Sequence, residues 1–414
     1  MFHFNCFDKS LKLSDGVELV SRLWVPEIQK PCPALLMRQP YGRQIASTVT
    51  YPHPDWFASK GYLVVVQDVR GQGDSGGEFR GFIQEANDSE ETHKWVRSLK
   101  ECNGKLGLYG FSYQGLTQLI SNENSIPPDC LSPAMTGFNI EKHWAADGGA
   151  FWWDINISWA LQIAALKMKR ANNSKAWEKI RSTLENKMYL RNGIEILQKY
   201  DPENFILNWN EDLRNNRHLE IFKLNPTWIK RPMLIIGGLW DQHLKGALDL
   251  YQEAKLVGGN PEIIIANATH LNWWEGYQND LLNFFDRHLM NSNKKKYELN
   301  KKIWNISLCQ WDDIDSNKNN IFKFGFQSNG IANISDSEGR LVTNSKGSGF
   351  VSIVHDPWRP VQSQGGHLGP NQGIFNRKIL DKRKDIAKFQ TNKFISNQHL
   401  LGIPLINVSI ICDQ

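Results

Sequence analysis

Six cysteines in 414 residues, none in a C-x-x-C spacing, leave this chain without the framework of a disulfide-stapled scaffold. Scattered thiols at Cys6, Cys32, Cys102, Cys130, Cys309 and Cys412 read instead as buried or free. No H-E-x-x-H, no Cys/His cluster and no acidic pair at metal spacing appears, so neither a metal nor a cofactor is expected. No window reaches roughly 18 consecutive apolar residues, which excludes a membrane-spanning helix. Met1-Phe2-His3-Phe4-Asn5-Cys6 lacks a basic region leading into an apolar run; no signal peptide is visible, and a cytoplasmic location is the expectation. Neither sign of charge dominates, with 48 Lys and Arg against 43 Asp and Glu. Basic blocks such as Asn293-Lys294-Lys295-Lys296 and Lys382-Arg383-Lys384 therefore read as solvated surface rather than as a nucleic-acid footprint. Repeats and low-complexity tracts are missing as well.

What is present is a hydrophobic share of 41%, enough for a sizeable core, over a length that suggests two or three domains at about 150 residues each. Residues 10–28 alternate around Asp15-Gly16, as a β-hairpin with a two-residue turn would. Short apolar runs follow at Ala34–Met37, Tyr62–Val66, Leu106–Tyr109, Pro232–Ile236 and Pro261–Ile265, with helical patterns at Glu85–Leu99 and Leu281–Leu289. Strands alternating with helices imply an α/β fold built on a mostly parallel sheet. The stretch 140–228 breaks this rhythm. It holds seven of the 16 tryptophans and long helix-friendly segments, Trp159–Arg170 and Lys175–Leu190, as an inserted helical cap would. Its tryptophans suit packing between cap helices. The sharper alternative is an aromatic substrate pocket, for which Trp144, Phe151, Trp152, Trp159 and Trp240 are the candidates. Beyond residue 300, strand-like runs at Phe322–Phe326, Leu341-Val342, Phe350–Val354 and Leu405–Ile411 suggest an all-β domain.

The strongest chemical signal is Gly110-Phe111-Ser112-Tyr113-Gln114-Gly115, placed between a strand and a helix. Such a turn is the nucleophile elbow of the α/β-hydrolase fold: it lifts a serine Oγ above the sheet and aims the next backbone N–H at a developing oxyanion. In the usual pattern glycine follows two residues after serine; here Gln114 occupies that position and Gly115 comes one later. A serine nucleophile needs a base and an acid to orient it, in the order Ser, Asp, His, each in a loop after a strand. Asp241 and His270 satisfy both order and placement. His243 is the chief rival base but lies close to Asp241 in sequence, and His288 falls within a helix. Tyr41, after the strand at 34–37, stands where the second oxyanion donor of this fold arises, and its phenol can serve. The glycine-rich run Asp68–Phe79 lacks the G-K-[ST] of a phosphate cradle and reads as a structural loop, with Asp68 and Arg70 forming an internal ion pair.

These residues resemble the CocE/NonD hydrolases, part of the X-Pro dipeptidyl-peptidase (S15) superfamily of acyl esterases and peptidases. The matching segments run in order from Arg38–Tyr41 and Gln67–Gly73 through Gly76–Phe79, Asn103–Gly107, Gly110–Tyr113 and Gly148–Ala150. They continue with Gly237–Asp241, His270, Phe284–Asp286, Asp356-Pro357 and Gly365-Gly366. In that family Gly-x-Ser-Tyr-x-Gly is the usual elbow. The resemblance implies Ser112 as nucleophile, Asp241 and His270 completing a triad, and Tyr41 with the Tyr113 amide as oxyanion hole. It also implies an α/β-hydrolase domain over 1–139 and 229–298, a helical cap over 140–228, and a C-terminal jelly roll over 299–414. The family's jelly roll continues well past Ile411, so a curtailed one with unpaired edges is expected, the chain being a fragment or its partner strands coming from elsewhere.

The expected activity is that of a serine hydrolase opening a small ester, amide or short peptide through an acyl-enzyme. An X-prolyl dipeptidyl peptidase on the same scaffold and a non-catalytic ligand-binding protein are the alternatives. Gln242 and His243 follow Asp241 where amine-recognising relatives carry acids, which argues against an ammonium substrate. No nucleic-acid or membrane partner is expected, and a homo-oligomer is left open.

Overall fold

The computed structural model describes residues 1–44, 52–219, 222–290, 301–314, 321–368 and 371–413. The basic block at 293–296 and the expected boundary at 298/299 lie outside them. Two compact units result: Met1–Asp313 with Gly365–Ile374, and Ile314–Gln364 with Phe375–Gln414.

In the first unit, β1 (Phe4–Lys12) and β2 (Glu18–Pro26) pair antiparallel along their whole length. The hairpin surrounds Asp15-Gly16, but its turn is longer than two residues: Leu13 and Val17 close it, with Gly16 at φ +86°. β3 (Cys32–Gln39) and β4 (Leu63–Asp68) are buried at every position, since a parallel strand covered on both faces has no solvent side. β5 (Cys102–Phe111) and β6 (Cys130–Ala134) follow, then the two-residue strands β7 (Ala146–Asp147) and β8 (Ala150–Phe151). The set ends with β9 (Leu234–Trp240), β10 (Glu262–Thr269), β11 (Lys301–Asn305) and β12 (Gln310–Asp313). The sheet order is β1-β2-β4-β3-β5-β6-β9-β10-β11-β12, parallel from β4 to β11 and antiparallel at both margins. The α/β class with a large parallel sheet is therefore as the sequence implied. Strands β11 and β12 differ from expectation: they extend this sheet to Asp313 instead of opening the β domain.

Helices α1 (Pro54–Ala58), α2 (Glu85–Ser98) and α3 (Tyr113–Leu116) connect the early strands. The cap contains α4 (Trp153–Arg170), α5 (Ser174–Glu185), α6 (Tyr189–Tyr200) and α7 (Phe205–Arg214), with a core of its own around Ile157, Leu161, Ile180, Leu197 and Ile206. The helix expected over Lys175–Leu190 is in fact two. Lys187 takes φ +58°, which a continuing helix cannot contain, and the chain restarts at Tyr189. After α8 (Pro226–Ile229) and α9 (Leu244–Leu256), α10 (Tyr277–Leu289) buries Leu281, Phe284, Phe285 and Leu289 against Val64, Tyr109, Leu234 and Ile264. That spacing is one face of an amphipathic helix.

The second unit holds β13 (Phe324–Gly330), β14 (Arg340–Thr343) and β15 (Ser348–Val351) in one sheet, β14-β13-β15. Leu405–Ile411, read from sequence as a strand, is irregular and exposed; its apolar side chains find no cross-strand neighbour among the described residues. No described helix is long and apolar enough to cross a membrane.

Candidate active site

Ser112, Asp241 and His270 are each the residue immediately following a strand, β5, β9 and β10 respectively. With β6 between the first two, those strands are consecutive and parallel in the sheet, so all three residues emerge at the same carboxyl edge. This is the edge at which α/β proteins of this type place ligands.

Ser112 holds φ +57° and ψ −126°, a conformation that side chains rarely adopt, and caps α3. Several contacts enforce it. The Ser112 N–H donates to Ala134 O on β6, and Phe111 N–H donates to Gln114 Oε1 at 3.2 Å. Gln114 thus ties down the turn from the position where a glycine is usual. Gly115 is needed for contact: a Cβ there would stand 2.7 Å from Thr136 Cγ2 and 2.9 Å from Ala134 O.

His270 Nδ1 lies 2.5 Å from Asp241 Oδ2, so Nε2 is the ring nitrogen this pair leaves uncommitted. The other oxygen of Asp241 accepts the backbone N–H of His243 at 2.8 Å. Burial alone would push the Asp241 carboxyl up, but the His270 charge and hydrogen bond outweigh it and hold the group below its ordinary value. The Phe111 ring packs 5.4 Å from that of His270, linking the strand before Ser112 to that imidazole. A contact absent from the sequence reading completes the loop: Gln372 Oε1 accepts the His270 backbone N–H at 3.1 Å, and Gln372 Nε2 donates to Gln242 Oε1 at 2.7 Å.

His243 and His143 serve other ends. Burial drives the His243 imidazole down to about 4, so it is neutral, and its Nδ1 donates to His143 O at 2.6 Å. His143 forms a second His–Asp pair with Asp249 at 3.0 Å, but its Nδ1 already accepts the Asn139 N–H, leaving neither nitrogen for proton transfer.

Tyr113 presents a backbone N–H with no acceptor among the described residues, as the first turn of a helix must. Its side chain is buried, and the phenol donates within a polar pocket of Gly81 O and Glu85 Oε1, each at 2.7 Å. Glu85 in turn pairs with Arg38 at 2.5 Å, and Arg38 Nε donates to Gln67. Tyr41 follows β3, the strand next to β5, with its N–H on Gln39 Oε1 at 2.8 Å. Burial pushes its phenol up to about 12, with the nearby Trp159 indole opposing part of that shift, so it is a neutral donor.

Around Phe82, the rings of Tyr113 (4.4 Å), Trp144 (5.2 Å), Trp159 (6.3 Å), Phe205 and Trp209 form one aromatic cluster. Trp144 and Trp152 both border His243. Of the other pocket candidates, Phe151 packs on Trp153 and Trp240 donates its indole N–H to Asn267. The expected Asp68–Arg70 pair does not form. Asp68 pairs with Arg43 at 2.7 Å, while Arg70 reaches Asp88 and Asp15. The glycine loop wraps Asp68 so closely that a Cβ on Gly73 would meet its carboxylate.

A serine with positive φ and a 2.5 Å Asp–His pair, each placed directly after a strand at one edge of a parallel sheet, fit the α/β-hydrolase class of fold, although no hydrogen bond joins Ser112 to His270 among the described residues. The chain belongs to the X-Pro dipeptidyl-peptidase (S15) family, whose pattern it matches over residues 15–272. It is 31% identical over 155 residues to the cocaine esterase of Rhodococcus sp. (strain MB1 Bresler), a match covering 36% of this chain and 27% of that protein. Its fold is similar to a CocE/NonD family hydrolase from Staphylococcus aureus (TM-score 0.58, 16% identity, 82% of this chain and 60% of that one). It is also similar to an aminopeptidase from a marine sediment Thaumarchaeota archaeon (TM-score 0.55, 19% identity, 78% and 61%). An α-amino acid ester hydrolase gives TM-score 0.54 at 19% identity, covering 87% and 66%. The chain thus spans about a quarter of the curated relative and under two thirds of these structures.

Proposed function

We propose that this chain is a serine hydrolase of the CocE/NonD type, cleaving a carboxylic ester or amide through an acyl-enzyme. The observation that carries the reading is the 2.5 Å Asp241–His270 pair, built from residues that directly follow neighbouring strands at the edge where Ser112 is held. In the proposed cycle His270 Nε2 takes the Ser112 proton as Oγ attacks the carbonyl carbon, and Asp241 keeps the imidazole in the required tautomer. Negative charge on the former carbonyl oxygen is met by the Tyr113 N–H and the Tyr41 hydroxyl. Collapse expels the leaving group with the proton that His270 carries, and water repeats the sequence to release the acid.

The X-prolyl peptidase alternative is not favoured, and faster cleavage of an X-Pro anilide than of a simple ester would revive it. Gln242 and His243 supply no carboxylate beside Asp241, which speaks against an α-amino ester. We keep a jelly-roll assignment for the second unit as a reading supported by its strand-only sheet. The test of function is labelling by a fluorophosphonate, together with the burst of p-nitrophenol from an activated ester. Ser112→Ala should abolish both. Ester turnover unchanged in that variant would falsify the assignment.

A further inference from the structure

Two ring nitrogens near His270 are complementary, an acceptor on His243 and a buried donor on Trp152. The first belongs to His243. Its Nδ1 bonds to a backbone oxygen, which can only accept, so Nδ1 carries the hydrogen and Nε2 presents a lone pair. The residue is 3% exposed, with its ring 4.4 Å from Trp144, 6.4 Å from Trp152 and 5.3 Å from His270. The second is the Trp152 indole N–H, buried with no acceptor. Trp144, between them in the chain and the cluster, is different: its N–H donates to Gly137 O at 2.8 Å. A buried indole N–H without an acceptor is an exception that calls for a reason. Here an acceptor and a donor stand on adjoining rings without bonding each other.

We propose that His243 Nε2 and Trp152 Nε1 are a recognition pair for a neutral substrate group that both donates and accepts a hydrogen bond. A hydroxyl or a secondary amide close to the scissile bond has that chemistry; a hydrocarbon has neither half of it. An ammonium could use only the imidazole and would leave the indole unmatched. This rests on the hydrolase reading above and narrows its substrate class.

The test compares kcat/KM within isosteric pairs. On the acyl side these are p-nitrophenyl 3-hydroxypropanoate and p-nitrophenyl butyrate, and on the alcohol side 3-hydroxypropyl acetate and butyl acetate. We expect the hydroxylated member to be favoured by about tenfold in one series, the size of a hydrogen bond to an otherwise unmatched buried group. His243→Phe and Trp152→Phe should each lower that ratio toward one. Folding of both variants is checked by near-ultraviolet circular dichroism, and if one does not fold, the other decides. A full-chain protein with no preference in either series overturns the proposal, as does a preference that survives in the folded variants. Fluorophosphonate labelling separates the two levels: labelled Ser112 without a preference sinks this inference alone, whereas an unreactive Ser112 removes the hydrolase reading and this proposal with it.

Discussion

Gln372 reaches back across 102 residues to accept the backbone N–H of His270 at 3.1 Å. The same side chain holds Gln242, next to Asp241, at 2.7 Å. It therefore braces the loops of the proposed base and acid together. Replacing it with leucine removes these two bonds and a third, from Gln372 Nε2 to His367 O at 2.9 Å, each worth about 1 kcal/mol. Gln372→Leu should lower kcat by roughly 3–10-fold on that scale while changing KM little. A fall in KM-dependent binding alone, with kcat intact, would show that the contact does not position His270.

Tyr41→Phe deletes the phenolic hydroxyl, a donor and also the acceptor beside the Trp159 indole. If that hydroxyl meets the oxyanion, kcat falls by about 10²–10³ with KM nearly constant, as for other single donors of this type. Steady-state kinetics on p-nitrophenyl butyrate measure it. A loss below threefold would place the second donor elsewhere.

Beneath the elbow, Arg38, Glu85 and Tyr113 are linked in a buried network. Glu85→Ala leaves the Arg38 guanidinium uncompensated in the interior, at a cost of about 3–5 kcal/mol. Glu85→Gln keeps the shape and an acceptor for Tyr113 but removes the same charge, so most of the loss should remain. Urea denaturation of the two variants gives the comparison, and a glutamine variant as stable as the parent would count against the charge pairing.

His93 should make stability depend on pH. Burial, aided by Arg38, drives its imidazole down to about 3, and its Nδ1 has no partner. The unfolded chain takes up a proton as pH falls through about 6.5, whereas the folded one does not until about 3. Its contribution is therefore complete above the unfolded value and is lost as pH falls through that window, at about 1.4 kcal/mol per unit. His243, lowered to about 4, acts in the same direction. His93→Phe, which keeps the ring packed beside Trp228, should flatten the slope of unfolding free energy between pH 6 and 4, both values taken inside that window. An unchanged slope would assign the acid sensitivity to other groups.

The legible parts of the molecule were those written in contiguous residues. β4 and β9 show as unbroken apolar runs, and the elbow is six consecutive positions, so the placement of Ser112 and Asp241 after strands could be read directly. β6 could not: Cys130-Leu-Ser-Pro-Ala has no β-branched residue, and Pro133 argues against a central strand. It is tolerated because pairing with β9 is sparse there, a single ladder position at Ala134 beside an isolated bridge at Leu131. The partner of Asp68 was misread for a different reason. Arg70 is closer in sequence, but Arg43 is brought in by adjacent parallel strands, a proximity that spacing does not encode. Gln372 carries no local signal at all. Its role depends on a segment returning to the first unit after the chain has left it.

The aromatic cluster around Phe82 has a spectroscopic corollary. Trp144 and Trp159 stand 5.8 Å apart, and Trp159 lies 6.3 Å from Trp209 and 6.5 Å from Tyr113, the residue next to Ser112. Indoles this near exchange excitation before they emit, so light absorbed anywhere in the group is reported from its lowest-energy member. On the proposed function, that group borders the substrate. Emission from the unlabelled protein would then gauge occupancy near Ser112, while solvent-exposed Trp358, at 93%, supplies a steady background against which to read it.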